Sequence, residues 1–293
     1  MEYPNGQPLT EETTARRGHP EAEGPSAGVD AEGRNPFVEY VSSDLLLSLQ
    51  GTRTESGIEP SFLIITQVME LLFKLVCTEA VRGRDALEGD DLSGALRTLR
   101  RLHRTCLALN GSWEALTSMS PTEYAEFRDA LGDGSGFQSY MYRHMEFLLG
   151  HKVPAMAEVH RGQEPVYREL LRSLGEISLY DAMLRLLWRR GLPVPDNSVE
   201  RDWRQPYTER DEVVDVWYTV YAQQDKHYEV YQLAEVLVDI AFELGRWRTT
   251  HLLTVERLLG TKSGTAGTSG AAWLRRAAEH RFFPELWTVR ARI

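Results

Sequence analysis

The chain has 293 residues, 42% of them hydrophobic, and a formal net charge of −10 at pH 7. That length holds one large domain or two small ones, with a full-sized buried core. The acidic balance argues against a nucleic-acid or anionic-membrane partner.

Residues 1–35 are rich in Gly, Pro, Glu and Arg and have no periodic apolar face, so a disordered extension is expected there. They hold no apolar core of a signal peptide. After Pro36 the pattern turns helical. FVEYVSSDLLLSLQ repeats apolar residues at three- and four-residue steps. SFLIITQVMELLFKLVCTEAV is apolar on most faces, with Thr66, Glu70, Lys74 and Thr78 in one polar stripe, the pattern of a mostly buried helix. Its uncharged run SFLIITQVM stops at Glu70, too short to span a bilayer. Cys77 and Cys106 lie inside apolar helical patterns and read as reduced core residues, and no CxxC is present. Together these features point to a soluble, cytoplasmic protein.

Asp91 and Ser120, the latter before Pro121, look like helix caps, and Gly191 and Gly260 look like helix stops. The segments DDLSGALRTLRRLHRTCLAL, SPTEYAEFRDAL, FQSYMYRHMEFLLG and SLYDAMLRLLWRRG keep the helical period. So does the long run from Asp211 to Gly260, although VVDVWYTV within it is ambiguous with a strand. The expected fold is all-α, a multi-helix bundle forming a single domain over 36–293.

Four constellations have the residue types for chemistry. His251 stands in an amphipathic helix that runs into the small-residue loop GTKSGTAGTSG at 260–270. Spacing alone leaves this histidine open as a satisfied core residue or as a ligand. No second His, Asp or Glu stands at a zincin-like spacing around it, whereas one histidine suffices for a haem, whose porphyrin supplies four ligands. Tyr124 and Arg128 share a helix face, so Arg128 is placed either to clamp a carboxylate or to pair with Asp129 or Glu126. The turn Gly132-Asp133-Gly134-Ser135-Gly136 follows directly. Phe62 and Thr66 are also four apart, positions that suit either core packing or a pocket wall.

The blocks VSSDLLLSLQ, TQVMELLFK, MSPTEYAEFRDALGDGSGFQS, SLYDAMLRLL, RWRTTHLLTVERLLG, GTAGTSGAAWLR and FFPELW, in that order, carry a resemblance to the tryptophan 2,3-dioxygenase family of haem enzymes. The resemblance runs from about Phe37 to the C-terminus. It implies an all-α haem-binding fold of the tryptophan/indoleamine dioxygenase type. It implies His251 as proximal ligand of a b-type haem iron, with Trp113 near the haem and O2 as co-substrate. Arg128 would bind the substrate carboxylate and Thr265 its amino-acid end. Tyr124 and Ser135 would line the pocket, and Phe62 would pack on the indole. Phe37, Tyr40 and Val41 would belong to an N-terminal helix reaching into a neighbouring subunit's site, in a homotetramer.

One position departs from the family. Its bacterial members have histidine where this chain has Thr66, in the segment HQxxELxxK, while Gln67, Glu70, Leu71 and Lys74 are kept. Threonine cannot serve as a base near neutral pH but still offers one hydroxyl. The related indoleamine dioxygenases use a small hydroxyl residue here. The implied reaction is oxygenation of L-tryptophan or a substituted tryptophan at indole C2/C3. Two inserted atoms would give an N-formylkynurenine-type product. One inserted atom would give a 2-oxindole, an outcome suited to secondary metabolism. A haem-binding sensor without turnover would keep His251 but has no need of Arg128 together with Thr265. An acidic helical interaction module would need none of these residues.

Overall fold

The computed structural model describes residues 35–260, 262 and 271–293. Every regular element among them is helical, as the periodicity requires. The expected N-terminal extension falls almost wholly outside the described residues, as does most of the 260–270 loop with Thr265. The chain divides into two compact units, Met1–Ile64 and Ile65–Ile293.

In the first unit, Asn35 starts helix α1 (Pro36–Val41) by accepting from the N–H groups of Phe37 and Val38. Ser42, at φ 50°, breaks the helix before α2 (Ser43–Leu46) begins. Phe37 and Tyr40 are strongly exposed, at 69% and 91%. A turn then leads to the start of α3 (Glu59–Glu88), where the buried Glu59 carboxylate accepts from the backbone of Arg53 at 2.7 Å and of Thr54 at 2.8 Å. A carboxylate in the first turn of a helix also suits the positive end of the helix dipole.

The second unit is built on a helix pair. Asp91 caps α4 (Leu92–Gly111) by accepting from Gly94 N at 2.9 Å. The 32-residue α13 (Tyr228–Leu259) packs along α4. Leu99, Leu102, Cys106 and Leu109 of α4 and Leu233, Ala234, Leu237 and Ile240 of α13 are all closed to solvent. Asn110 pins the pair by donating to both the backbone carbonyl (2.9 Å) and the carboxylate (2.7 Å) of Glu243.

Between these helices come short ones: α5 (Trp113–Thr117), α6 (Pro121–Arg128), α7 (Tyr140–Leu148), α8 (Pro154–Glu158), α9 (Glu164–Gly175), α10 (Leu179–Arg189), α11 (Asp196–Val199) and α12 (Asp211–Ala222). The last two helices, α14 (Ala271–Glu279) and α15 (Pro284–Thr288), follow α13. Ser120 opens α6 with a capping box to Glu123, and Gly260 closes α13 at φ 60°. Cys77 and Cys106 are both free and buried.

Two expectations need correction. The run from Asp211 to Gly260 is two helices, because Gln223-Gln224-Asp225-Lys226-His227 offers no apolar residue to hold a turn against the core. The ambiguous stretch VVDVWYTV belongs to α12 and buries Val213, Val214, Val216 and Trp217. Nor is α3 mostly buried. Its Met69, Phe73, Val76 and Cys77 face is core, but Ile64, Val68, Leu71 and Leu75 form an exposed apolar stripe at helical spacing. The helix runs through Glu70 and Lys74, so by length and composition it is apolar enough to cross a bilayer, with 22% of the apolar window buried.

A buried ionic cluster joins α7 to α13. Arg143 and Arg248 contact the Glu146 carboxylate at 2.7 and 2.8 Å, and His151 Nδ1 lies 3.3 Å from it. All three charged side chains are buried. Burial opposes ionisation of Glu146, but the His151 hydrogen bond and the two guanidinium groups outweigh it and hold the carboxyl well below its ordinary range. Removing the charge leaves two buried cations without their counter-ion. Glu146→Gln is therefore expected to cost about 3–5 kcal/mol at pH 7, measured by denaturant unfolding. Because the folded-state pKa is depressed, the wild-type advantage is fully present above the ordinary 4.5 and shrinks as pH falls below it. Equal stability of the two proteins at pH 7 would contradict this account.

Candidate active site

His251 lies on α13, one turn after Trp247. Its imidazole stacks against the Trp113 ring at 5.2 Å and 29°, and meets Trp247 at 5.4 Å and 62°. The two indoles are 5.5 Å apart. The sequence arranges this simply: Trp247 and His251 share a helix face, and α5, which begins at Trp113, packs on α13. Burial alone lowers the His251 pKa to about 4. The ring is therefore neutral at pH 7, with a lone pair on one nitrogen. Among the described residues no hydrogen bond or ion pair engages it. Nor does any group of three His, Cys, Asp or Glu there suit a metal ion, so a metal held by His251 has to bring its other ligands with it.

Helix α6 also packs on α13 and places the Tyr124–Arg128 pair in the same unit. Tyr124 is buried, which raises its phenol pKa, and its hydroxyl is hydrogen-bonded with Arg128. Its ring meets Phe127 edge-on at 5.3 Å. Arg128, at the last turn of α6, is half-buried. The following glycines have local explanations. Gly132 has φ +58°, and a Cβ at Gly134 would stand 3.0 Å from the Leu131 carbonyl. Ser135 is half-buried and caps the 3-10 turn Gly136–Gln138, accepting from Phe137 N while its own N–H donates to Gln138.

Thr66 is half-buried on α3, on the face that continues through Glu70 and Phe73. Glu70, whose carboxyl burial raises, is hydrogen-bonded to Ser139, the cap of α7. Phe73 lies edge-on to both Tyr142 (5.3 Å) and Trp247 (5.4 Å). The helix carrying Thr66 thus reaches the aromatic cluster around His251 through Phe73. Phe62, Tyr40, Phe37 and Val41 fall in the unit Met1–Ile64, and Thr265 lies outside the described residues.

Sequence reasoning singled out His251 and Trp113 but passed over Trp247, Phe73 and Tyr142. The signal for Trp247 was present: an aromatic residue four positions before the histidine shares its helix face. Phe73 and Tyr142 come from other helices, and no local pattern pairs them with it.

The family model described as tryptophan 2,3-dioxygenase matches residues 21–172 and 216–293. The chain is 39% identical to the tryptophan 2,3-dioxygenase of Shewanella woodyi, over 88% of this chain and 90% of the relative. It is 41% identical to that of Bradyrhizobium sp. strain BTAi1, over 90% and 95%. It is 40% identical to that of Bacillus cereus strain ATCC 10987, over 88% and 92%. By that family model and these relatives, this all-helical chain belongs to the tryptophan 2,3-dioxygenase family.

Proposed function

We propose that the protein is a haem-dependent oxidoreductase that dioxygenates the indole ring of L-tryptophan or a substituted tryptophan, giving an N-formylkynurenine-type product. The observation that carries this reading is the neutral His251 imidazole, packed against a touching pair of indoles and hydrogen-bonded to no other described group. Those residues fit a haem. The imidazole is unprotonated at neutral pH and its surroundings are apolar. The indole Nε1 atoms of Trp113 and Trp247 are also buried without a hydrogen-bond partner among the described residues. Bound to His251, the haem iron would supply the centre at which O2 is activated.

The chain's own residues bind and orient the substrate. The Arg128 guanidinium pairs with the amino-acid carboxylate, and the bond to Tyr124 fixes the plane of that guanidinium. Thr265 hydrogen-bonds the same end of the substrate, Tyr124 and Ser135 line the pocket, and Phe62 packs on the indole. Held at both ends, the ring presents its C2–C3 edge in one orientation, which lowers the barrier by confining the reactants. Thr66 offers a hydroxyl to this chemistry. It does not take a proton from the indole nitrogen, so substrate deprotonation by this residue is not part of the reaction.

We read the assembly as a cytoplasmic homotetramer. The exposure of Phe37 and Tyr40 on α1 supports a helix that enters a neighbouring subunit's site, and the apolar stripe of α3 supports extensive burial between copies.

Protein purified with haem and given L-tryptophan under labelled O2 is expected to yield a product carrying two labelled atoms by mass spectrometry. A protein that stays colourless and unreactive would overturn the reading. His251→Ala is expected to abolish haem retention. Arg128→Ala is expected to keep the Soret band and weaken apparent substrate binding by about 2–5 kcal/mol; an unchanged KM would remove its role. Thr66→His is expected to change the ratio of singly to doubly oxygenated product, and an unaltered ratio would exclude Thr66 from steering the reaction.

A further inference from the structure

Trp247 is fixed more firmly than its place one turn from His251 requires. Its ring is met by rings from three other helices: Phe73 of α3 at 5.4 Å and 78°, Trp113 of α5 at 5.5 Å, and Tyr142 of α7 at 5.3 Å and 29°. Tyr142 is itself locked. Its hydroxyl accepts from Arg248 Nε at 2.8 Å, and Arg248 is held by Glu146 at 2.8 Å and by the carbonyls of Ala277 (3.3 Å) and His280 (3.4 Å). An aromatic ring gripped in this way has a single available orientation, and the imidazole of His251 rests against it. Metal-binding histidines commonly have their ring plane set by a hydrogen bond from the second ring nitrogen to a carboxylate or carbonyl. No described residue makes such a bond to His251, and the rings packed on it are the indoles of Trp113 and Trp247.

We infer that Trp247 is a positioning residue that fixes the plane of the His251 imidazole, with the Phe73–Tyr142–Arg248 train holding Trp247 in turn. The inference rests on the reading of His251 as the haem ligand. It assigns the function to the face of the ring rather than to the indole N–H, which is buried and has no partner among the described residues. Phenylalanine at 247 keeps a flat face and loses the N–H. Methionine fills a similar space with a flexible chain and no plane.

The test uses the full-length haem-loaded protein and two measurements on Trp247→Phe and Trp247→Met. One is the rate of haem transfer to excess apomyoglobin. The other is the iron–imidazole stretching band of the ferrous form by resonance Raman. Trp247→Phe is expected to lose haem within about threefold of the wild-type rate, with a band of wild-type width. Trp247→Met is expected to lose haem at least tenfold faster, with a shifted and broadened band. A role limited to core packing would lower the unfolding midpoint of both variants without separating their bands, and that result would overturn the inference. So would a methionine variant that matches wild type, or a phenylalanine variant as impaired as methionine. A wild-type protein that takes up no haem would instead refute the assignment of His251, which the same first measurement reveals.

Discussion

An imidazole kept neutral in apolar surroundings is the constraint on which the rest of this structure turns. His251 is half-buried beside the paired indoles of Trp113 and Trp247, and burial lowers its pKa to about 4. A group so placed is a poor acid–base catalyst near neutrality but a ready ligand. Two charged groups of α13 flank Trp247 and His251 along the helix. Glu243 meets Asn110 on the α4 side, and Arg248 meets Glu146 on the α7 side.

Directionality is what so costly an ionic cluster supplies to the core. Burying Arg143, Glu146 and Arg248 is unfavourable taken alone, and an apolar replacement of similar shape could be as stable. An apolar cluster would not fix direction. The bidirectional demands of two guanidinium groups, one carboxylate and the Tyr142 hydroxyl admit one arrangement of α7 against α13, and α14 is tied in through Ala277 and His280. The ordering then passes by ring contact to the histidine.

Much of the fold was legible because it rests on local signals. The caps at Asp91 and Ser120 and the stop at Gly260 stand where residue type and helical period place them. The break at 223–227 was missed because helical period continues on both sides of it, and polar residues alone do not announce a turn. The exposed stripe on α3 was missed for a different reason. A helix apolar all round reads as buried, yet sequence does not say whether its cover comes from the same chain. Among site residues, the pairs read from four-residue spacing, Tyr124 with Arg128 and the face of His251, depend on one helix each. The Phe73–Trp247–Tyr142 cluster draws on three helices, and only tertiary packing assembles it.

The two cysteines have a chemical consequence for a protein that handles oxygen. Burial pushes the Cys77 thiol up to about 12 and the fully enclosed Cys106 higher still. The nucleophilic thiolate is then all but absent at physiological pH, and it is the thiolate that peroxide oxidises and that exchanges with disulfides. The folded chain is accordingly refractory to sulfenylation and to covalent cross-linking between copies, and neither reductant nor alkylating agent has an accessible sulfur to act on.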